Sequence, residues 1–221
     1  MLRLKQLIYH PAATASAILK QVSLELPPQQ LGLIIGPSGS GKSTLLEIVA
    51  GLAAPTSGEL YWRQQELKPN NLQQLAGLVF QFPERHFCGG TILEELRLGH
   101  PELGSEQVHQ ALQEVGLEDL SLFISPQSLS GGQQRRLALA VQLIRQPHLL
   151  LLDEPTAGLD WSMRKQLVTL LAKLKQHWSL LIVTHDPAEL VGIADRCWTL
   201  NHGELASVDP QALTLPDAVV L

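Results

Sequence analysis

The stretch Gly36-Pro37-Ser38-Gly39-Ser40-Gly41-Lys42-Ser43-Thr44 constrains this chain more than any other. Apolar or small residues, Leu31 to Ile35, precede it, and Leu45-Leu46-Glu47-Ile48-Val49-Ala50 and Gly51 follow. The order reads as strand, glycine-rich turn, helix. The spacing matches G-x-x-x-x-G-K-[ST], a phosphate-binding pattern that has meaning only in such a context. Gly36, Gly39 and Gly41 let the backbone curl tightly and approach a triphosphate with no Cβ in the way. Their N–H groups form an anion nest, and the following helix turns its positive end to the same point. Lys42 brings a mobile charge to the outer phosphates, and Ser43 offers a hydroxyl where Mg2+ would sit.

A chain of 221 residues predicts one compact domain, with room for an inserted subdomain. Apolar residues make up 45% and charged residues 17%, with a mean hydropathy of +0.08, as in a slightly greasy globular protein. The longest apolar runs, such as Leu149 to Leu152, fall far short of the ~20 residues of a spanning helix. The start, Met1-Leu2-Arg3-Leu4-Lys5, lacks an apolar core of signal-peptide length. The expectation is a chain that neither crosses a membrane by itself nor is secreted. A net charge of −5 argues against a duplex-binding surface as the chain's main business. Cys88 and Cys197 lie far apart without metal-ligand spacing and read as reduced thiols of a cytosolic protein.

Leu2 to Tyr9 and Ile18 to Leu26 alternate as strands, the second ended by Pro27-Pro28. Tyr9 has two readings of equal weight: an aromatic that stacks on an adenine, or a half-buried strand tyrosine. Pro55 to Gly58 reads as a turn, Glu59 to Trp62 as a strand, Lys68 to Asn71 as a loop and Gly77 to Gln81 as a strand. Gln81, at a strand end, reaches a metal or a water, or is a plain edge residue. From about residue 90 to 145 helices dominate. Thr91-Ile92-Leu93-Glu94 has the form of a capping box, and Ser105 is the expected cap of a helix that runs to Val115 and stops at Gly116. Strand–helix alternation then returns, so a helical subdomain inserted into an α/β core is predicted. The chain shows no internal repeat and no low-complexity stretch.

Ser128-Leu129-Ser130-Gly131-Gly132-Gln133 leads into a helical pattern starting near Gln133, with Ser130 as its cap. Gly131 and Gly132 leave the backbone bare at a helix N-terminus, a second anion site. Alone it would be a capped surface helix with flexible glycines. One nucleotide does not readily use both sites, but two copies facing head to tail would cover each phosphate loop with the other's Ser130 to Gln133. Leu149 to Leu152 is a buried parallel strand that emerges into Asp153 and Glu154, the end at which ligands collect. Asp153 suits a metal or its water and Glu154 the attacking water; strand alternation is expected to point them to opposite sides. Ala157 to Asp160 reads as a turn before a helix from about Trp161 to Gln176. Ser179 to Thr184 is another buried strand, with His185 at its end as a γ-phosphate sensor. Asp186-Pro187-Ala188-Glu189 carries helix-start signals, and Cys197 to Leu200 with Glu204 to Val208 reads as a hairpin turning at Asn201-His202-Gly203.

Together these stretches resemble the nucleotide-binding subunit of ATP-binding cassette (ABC) transporters over about residues 2 to 208, most specifically in the signature Leu129-Ser130-Gly131-Gly132-Gln133. The resemblance implies a P-loop NTPase (RecA-like) core at about 1–81 and 146–208, with an N-terminal antiparallel β subdomain. It adds an inserted α-helical subdomain at about 82–145 and a short tail at 209–221. It makes Tyr9 the adenine-stacking aromatic, Gly36 to Thr44 the Walker A loop and Leu149 to Asp153 the Walker B strand. Glu154 becomes the catalytic glutamate, Gln81 the Q-loop residue touching Mg2+ and the membrane partner, Asp160 the D-loop acid and His185 the switch histidine. Ser43, Gln81 and Asp153 are the expected Mg2+ residues, and ATP is the nucleotide.

Within that family, Val79-Phe80-Gln81-Phe82-Pro83-Glu84 resembles the cassettes of energy-coupling-factor and cobalt-type importers, which take up vitamins or transition-metal ions. His86 stands where that group often has glutamine, and Trp161 where proline is usual. The chain ends short of the C-terminal extension many such cassettes carry. The implied partners are a second cassette, identical or paralogous, and a transmembrane subunit, with no nucleic acid. The implied place is the cytoplasmic face of a membrane, or the stromal face in a plastid. The rival reading is a soluble ABC-type ATPase that drives assembly of another complex.

Overall fold

Alternation builds the first layer. The computed structural model of the chain describes residues 1–12 and 16–213. Strand β1 (Leu2–Tyr9) buries Leu2, Leu4 and Leu7, and β2 (Leu19–Leu26) buries Leu19, Val22, Leu24 and Leu26. Between Leu4 and Leu7 the register slips at Gln6, whose φ of 50° marks a bulge that returns Leu7 to the core face. Strand β3 (Leu31–Ile35) and helix α1 (Lys42–Val49) flank the glycine loop as expected. Strands β4 (Ser57–Trp62) and β5 (Gln65–Glu66) complete a four-stranded antiparallel sheet in the order β2-β1-β4-β5.

The stretch expected to be a loop at Lys68 to Asn71 instead opens helix α2 (Pro69–Leu75). Proline fits the first helical position because its missing N–H is unneeded there, and Leu72 and Leu75 supply a buried face. Strand β6 (Ala76–Val79) follows and ends two residues before Gln81. The chain is then helical: a 3-10 turn at Pro83–His86, α3 (Ile92–Leu96), α4 (Ser105–Glu114), a 3-10 turn at Pro126–Ser128, and α5 (Gly131–Leu143). Strand β7 (Leu149–Asp153), α6 (Trp161–Leu174), β8 (Ser179–Thr184), β9 (Arg196–Asn201), β10 (Glu204–Val208) and α7 (Pro210–Leu213) finish the described chain. Apart from α7, the expected tail lies mostly beyond the described residues.

The second sheet runs β10-β9-β3-β8-β7-β6, parallel except for β10. It is the middle layer. Leu149 and Leu151 of β7 join a cluster with α1 and the antiparallel sheet, whereas Leu150 and Leu152 join one with residues of α3, α4, α5 and α6. Both faces are covered, which is why the strand reads as an unbroken run of leucines.

Three local expectations are corrected. The cap of α4 is Gly104, not Ser105; its N–H donates to Gln107 Oε1 at 2.8 Å, and the helix stops at Gly116 with φ 67°. Thr91 does cap α3 by accepting from the Glu94 N–H at 3.2 Å, but the Glu94 carboxylate takes the Gly90 N–H instead of closing the box. Asp186 to Glu189 opens no α-helix; only one turn, onto the Pro187 carbonyl, precedes a 3-10 turn at Val191–Ile193. Asp186 there accepts from Arg164 at 2.9 Å, and the chain must reach β9 within ten residues.

Candidate functional site: the carboxyl ends of three parallel strands

Strands β3, β8 and β7 are neighbours, so their carboxyl ends deliver the glycine loop, Thr184-His185 and Asp153-Glu154 to one edge of the sheet. The Gly36 N–H donates to the Thr184 carbonyl at 3.2 Å, which pins the loop where it leaves β3. A Cβ on Gly36 would run into the Leu200 carbonyl, so this position admits glycine only. Gly41 takes the left-handed φ of 102° that starts α1. Pro37, Ser38 and Gly39 are exposed, Ser40 is buried, Ser43 is exposed and Thr44 is half-buried. Lys42 is only 6% exposed. Its Nζ donates to the carbonyls of Gly36 at 2.7 Å and Pro37 at 3.0 Å, and lies 3.7 Å from Glu154 Oε1.

Asp153 closes β7 at 8% exposure. Its carboxyl is pushed above the usual range by burial first; a hydrogen bond from Ser43 opposes this, the charge of Glu154 adds to it, and Lys42 opposes it. Its Oδ1 has no hydrogen-bond partner among the described residues.

Glu154 is aimed differently from the expectation. Strand alternation does not set its direction, because β7 ends at Asp153 and Glu154 adopts a left-handed φ of 45°. That conformation costs a non-glycine residue ~1–2 kcal/mol. It is held there by its N–H to the Val183 carbonyl at 2.9 Å. Oε2 accepts from Thr184 Oγ1 at 2.8 Å and from the His185 N–H at 3.2 Å, and Oε1 lies 2.9 Å from His185 Nδ1. Thr184, fully buried, was missed by sequence reasoning. Its only signal was a hydroxyl between Val183 and His185, after the apolar run Leu180 to Val183.

The other predicted residues lie around this group. Gln81 stands exposed beyond β6, the neighbour of β7. Tyr9 ends β1 half-buried against the core under α1, and its carbonyl accepts from the Ile18 N–H at 2.8 Å. Ile18 in turn reaches 3.2 Å from where a Cβ of Gly41 would lie. Asp160 caps α6 by accepting from the Met163 N–H at 2.9 Å. Leu129 is buried, whereas Ser130 and Gly131 are exposed. Helix α5 starts at Gly131, two residues earlier than its periodicity suggested, under a full capping box: Ser130 Oγ accepts from the Gln133 N–H, and Gln133 Oε1 from the Ser130 N–H at 2.9 Å. Gly132 packs over Met163 of α6. Among the described residues no hydrogen bond or ion pair joins Ser130 to Gln133 with Gly36 to Thr44. The N-terminal ends of α1 and α5 are thus not joined by a direct polar contact among the described residues. A cleft of about 730 Å³, lined by Gln29, Trp62, His148, Trp178 and Ser179, lies at the opposite edge, by the amino ends of β3 and β8.

Comparison with known proteins fits this geometry. The "ABC transporter" family model matches residues 19–157. The chain is 42% identical over 218 residues to "ABC transporter I family member 11, chloroplastic" of Arabidopsis thaliana, covering 91% of this chain and 78% of that protein. It is 38% identical to "Energy-coupling factor transporter ATP-binding protein EcfA2" of Symbiobacterium thermophilum, covering 90% of this chain and 73% of the relative. Among solved structures, cbiO1 from Clostridium perfringens, described as part of the ABC transporter complex cbiONQ, superposes with a TM-score of 0.89 at 25% identity over 99% of this chain and 92% of its own. An ATP-binding cassette in a dimeric post-hydrolysis state bound to ADP and Pi does so with a TM-score of 0.78 at 28% identity, over 95% and 99%. The chain therefore belongs to the ABC transporter family as an ATP-binding cassette.

Proposed function

We propose that the chain is the ATP-hydrolysing subunit of an importer of the energy-coupling-factor or cobalt type, working as one of two paired cassettes beneath a transmembrane subunit. One observation carries the reading: a carboxylate, Glu154, held by Thr184 and His185 with Lys42 at 3.7 Å, beside a glycine loop exposed at Pro37 to Gly39. In this reading Tyr9 stacks on the adenine. The N–H groups of Gly36 to Thr44 receive the phosphates, and Lys42 exchanges the Gly36 and Pro37 carbonyls for phosphate oxygens. Glu154 orients the attacking water and takes up its proton, and His185 holds the γ-phosphate. Ser130 to Gln133 cap the partner's ATP, and Asp160 sits at the junction of the pair. Residues 82–145 act as an inserted helical unit on the core, and Gln81 carries the change toward the membrane subunit.

Mg2+ fits the donors present. A buried carboxylate oxygen of Asp153 lacks a partner and the Ser43 hydroxyl adjoins it, an all-oxygen set of the kind hard cations take. Ser43, Asp153 and Gln81 would hold it, directly or through water; bound, it neutralises charge on the phosphates. No helix among the described residues is long and apolar enough to cross a membrane, which suits a peripheral subunit on its cytoplasmic or stromal face.

The test is Glu154→Gln. The amide keeps the shape and loses the base, so ATP binding persists while turnover falls roughly 10²–10⁴-fold. Single-turnover hydrolysis beside an ATP titration measures both. Parental turnover in the variant would remove the role given to Glu154.

A further inference from the structure

Helix α5 carries a buried charge that the proposed reaction does not use. Arg135, in its second turn, is 3% exposed. One terminal nitrogen donates to the Ala157 carbonyl at 2.9 Å, and Nε and Nη1 have no partner among the described residues. A buried guanidinium with unmet donors is costly, and charged groups are the costliest to leave unpaired. Burial accordingly presses its pKa down, and the carboxylate charge that presses it back up is that of Glu84. Glu84 sits half-buried in the 3-10 turn at Pro83–His86, which packs on α5.

Three segments meet around this side chain. Residues 81–87 follow β6 and begin with Gln81. Phe82 is held in a left-handed conformation with φ 54°; its ring lies 3.3 Å from where a Cβ of Gly158 would be, and the Arg85 guanidinium is 4.9 Å from its centroid. Residues 154–160 contain Glu154, the Ala157 carbonyl and Asp160. Ser130 to Gln133 form the cap and first turn of α5. Arg135 is bonded to the second segment, anchored in the third and within the field of an acid on the first.

Resting on the function proposed above, we propose that Arg135 is a positioning residue: its free N–H groups take the Glu84 carboxylate when the cassette closes on ATP, and this locks the Gln81 segment to the signature helix. The chemistry favours such a lock. A charge-assisted bond relieves both the unpaired guanidinium and the half-buried acid, and the two segments become one body. Arg135 touches no substrate; it acts by fixing where Gln81 and Ser130 stand relative to Glu154.

Glu84→Gln keeps size and polarity and removes only the charge, and its site is not fully buried, so its Tm should match the parent's. The expected result is a kcat about tenfold lower at saturating ATP with KM within about twofold, since the lock forms after binding. Arg135→Met should lower kcat similarly, and the double variant should be no slower than Arg135→Met alone. Additive losses, or a Glu84→Gln kcat equal to that of an active parent, overturn the proposal and leave the ATPase reading standing. A parent that binds no ATP overturns both. If Arg135→Met does not fold, hydrogen exchange decides. In the Glu154→Gln protein, ATP should slow exchange across residues 81–87, and adding Glu84→Gln should abolish that slowing. Equal slowing in both overturns the proposal.

Discussion

Burial lifts the Asp153 carboxyl above the ordinary carboxylate range, with Ser43 and Lys42 opposing and Glu154 adding to the shift. The sign of the consequence follows from proton counts. Above the unfolded pKa the folded chain holds the Asp153 proton more tightly than the unfolded chain does. Stability contributed at this site is therefore lost as pH rises from the unfolded value through the raised one, and the cost is fully present above it. Asp153→Asn carries no such charge. Its Tm relative to the parent should rise as pH climbs above about 4, the ordinary carboxylate value, and end above the parent's in the ligand-free protein. A Tm difference that does not change with pH would show that the buried charge is not the cause. With Mg-ATP added the order should reverse, because a bound cation favours the ionised form and the amide lacks it. Removing the cation with a chelator should restore the ligand-free order.

At the scale of elements, the same short segments serve as helix caps and as site loops, and the two duties can be separated. Asp160 holds the first turn of α6 through the Met163 N–H. Asp160→Ala should cost about 1 kcal/mol, a Tm fall of ~2–4 °C in a chain of this size, whereas Asp160→Asn, a competent cap, should keep the parental Tm. Thermal melts of the two variants check this; equal losses would mean that the carboxylate acts as a charge rather than as a cap. The elements legible in the sequence were those in which one physical signal dominates. Four leucines before Asp153 specify β7, and the glycine loop specifies the β3–α1 junction. His202 and Gly203, both at positive φ, make the β9–β10 hairpin readable from Asn201-His202-Gly203. Misread elements are those in which two signals compete. Pro69-Asn70-Asn71 looks like a loop until Leu72 and Leu75 find a core to fill. Asp186-Pro187 looks like a helix start until Arg164 claims the carboxylate. The site was legible as a list of residues but not as geometry. The left-handed turn at Glu154 and the hydroxyl of Thr184 beneath it are tertiary facts, and Arg135 reads as one more polar residue of a helix until its burial is known.

In the proposed reading the helix ends at α1 and at α5 each receive phosphate, and among the described residues no polar contact of one chain joins them. A two-fold pair resolves this, because in an isologous interface each chain offers its α5 end to the partner's loop and receives the partner's in return. Such sharing has an arithmetic that no self-contained site can imitate. Lys42→Ala should disable the loop, and Ser130→Arg should block the signature face by placing a long cation where small residues are exposed. Each variant paired with itself holds two broken sites. A mixed pair holds one site with both defects and one with neither, since the intact loop of the second chain meets the intact Ser130 to Gln133 of the first. Equal mixing makes half of the pairs mixed, with one good site of two in each, so turnover should return to roughly a quarter of the parental rate from two inactive proteins. The recovered rate should fall steeply on dilution as pairs separate. Mixtures no more active than their components, under conditions in which the parent pairs and turns over, would mean that each chain completes its own site.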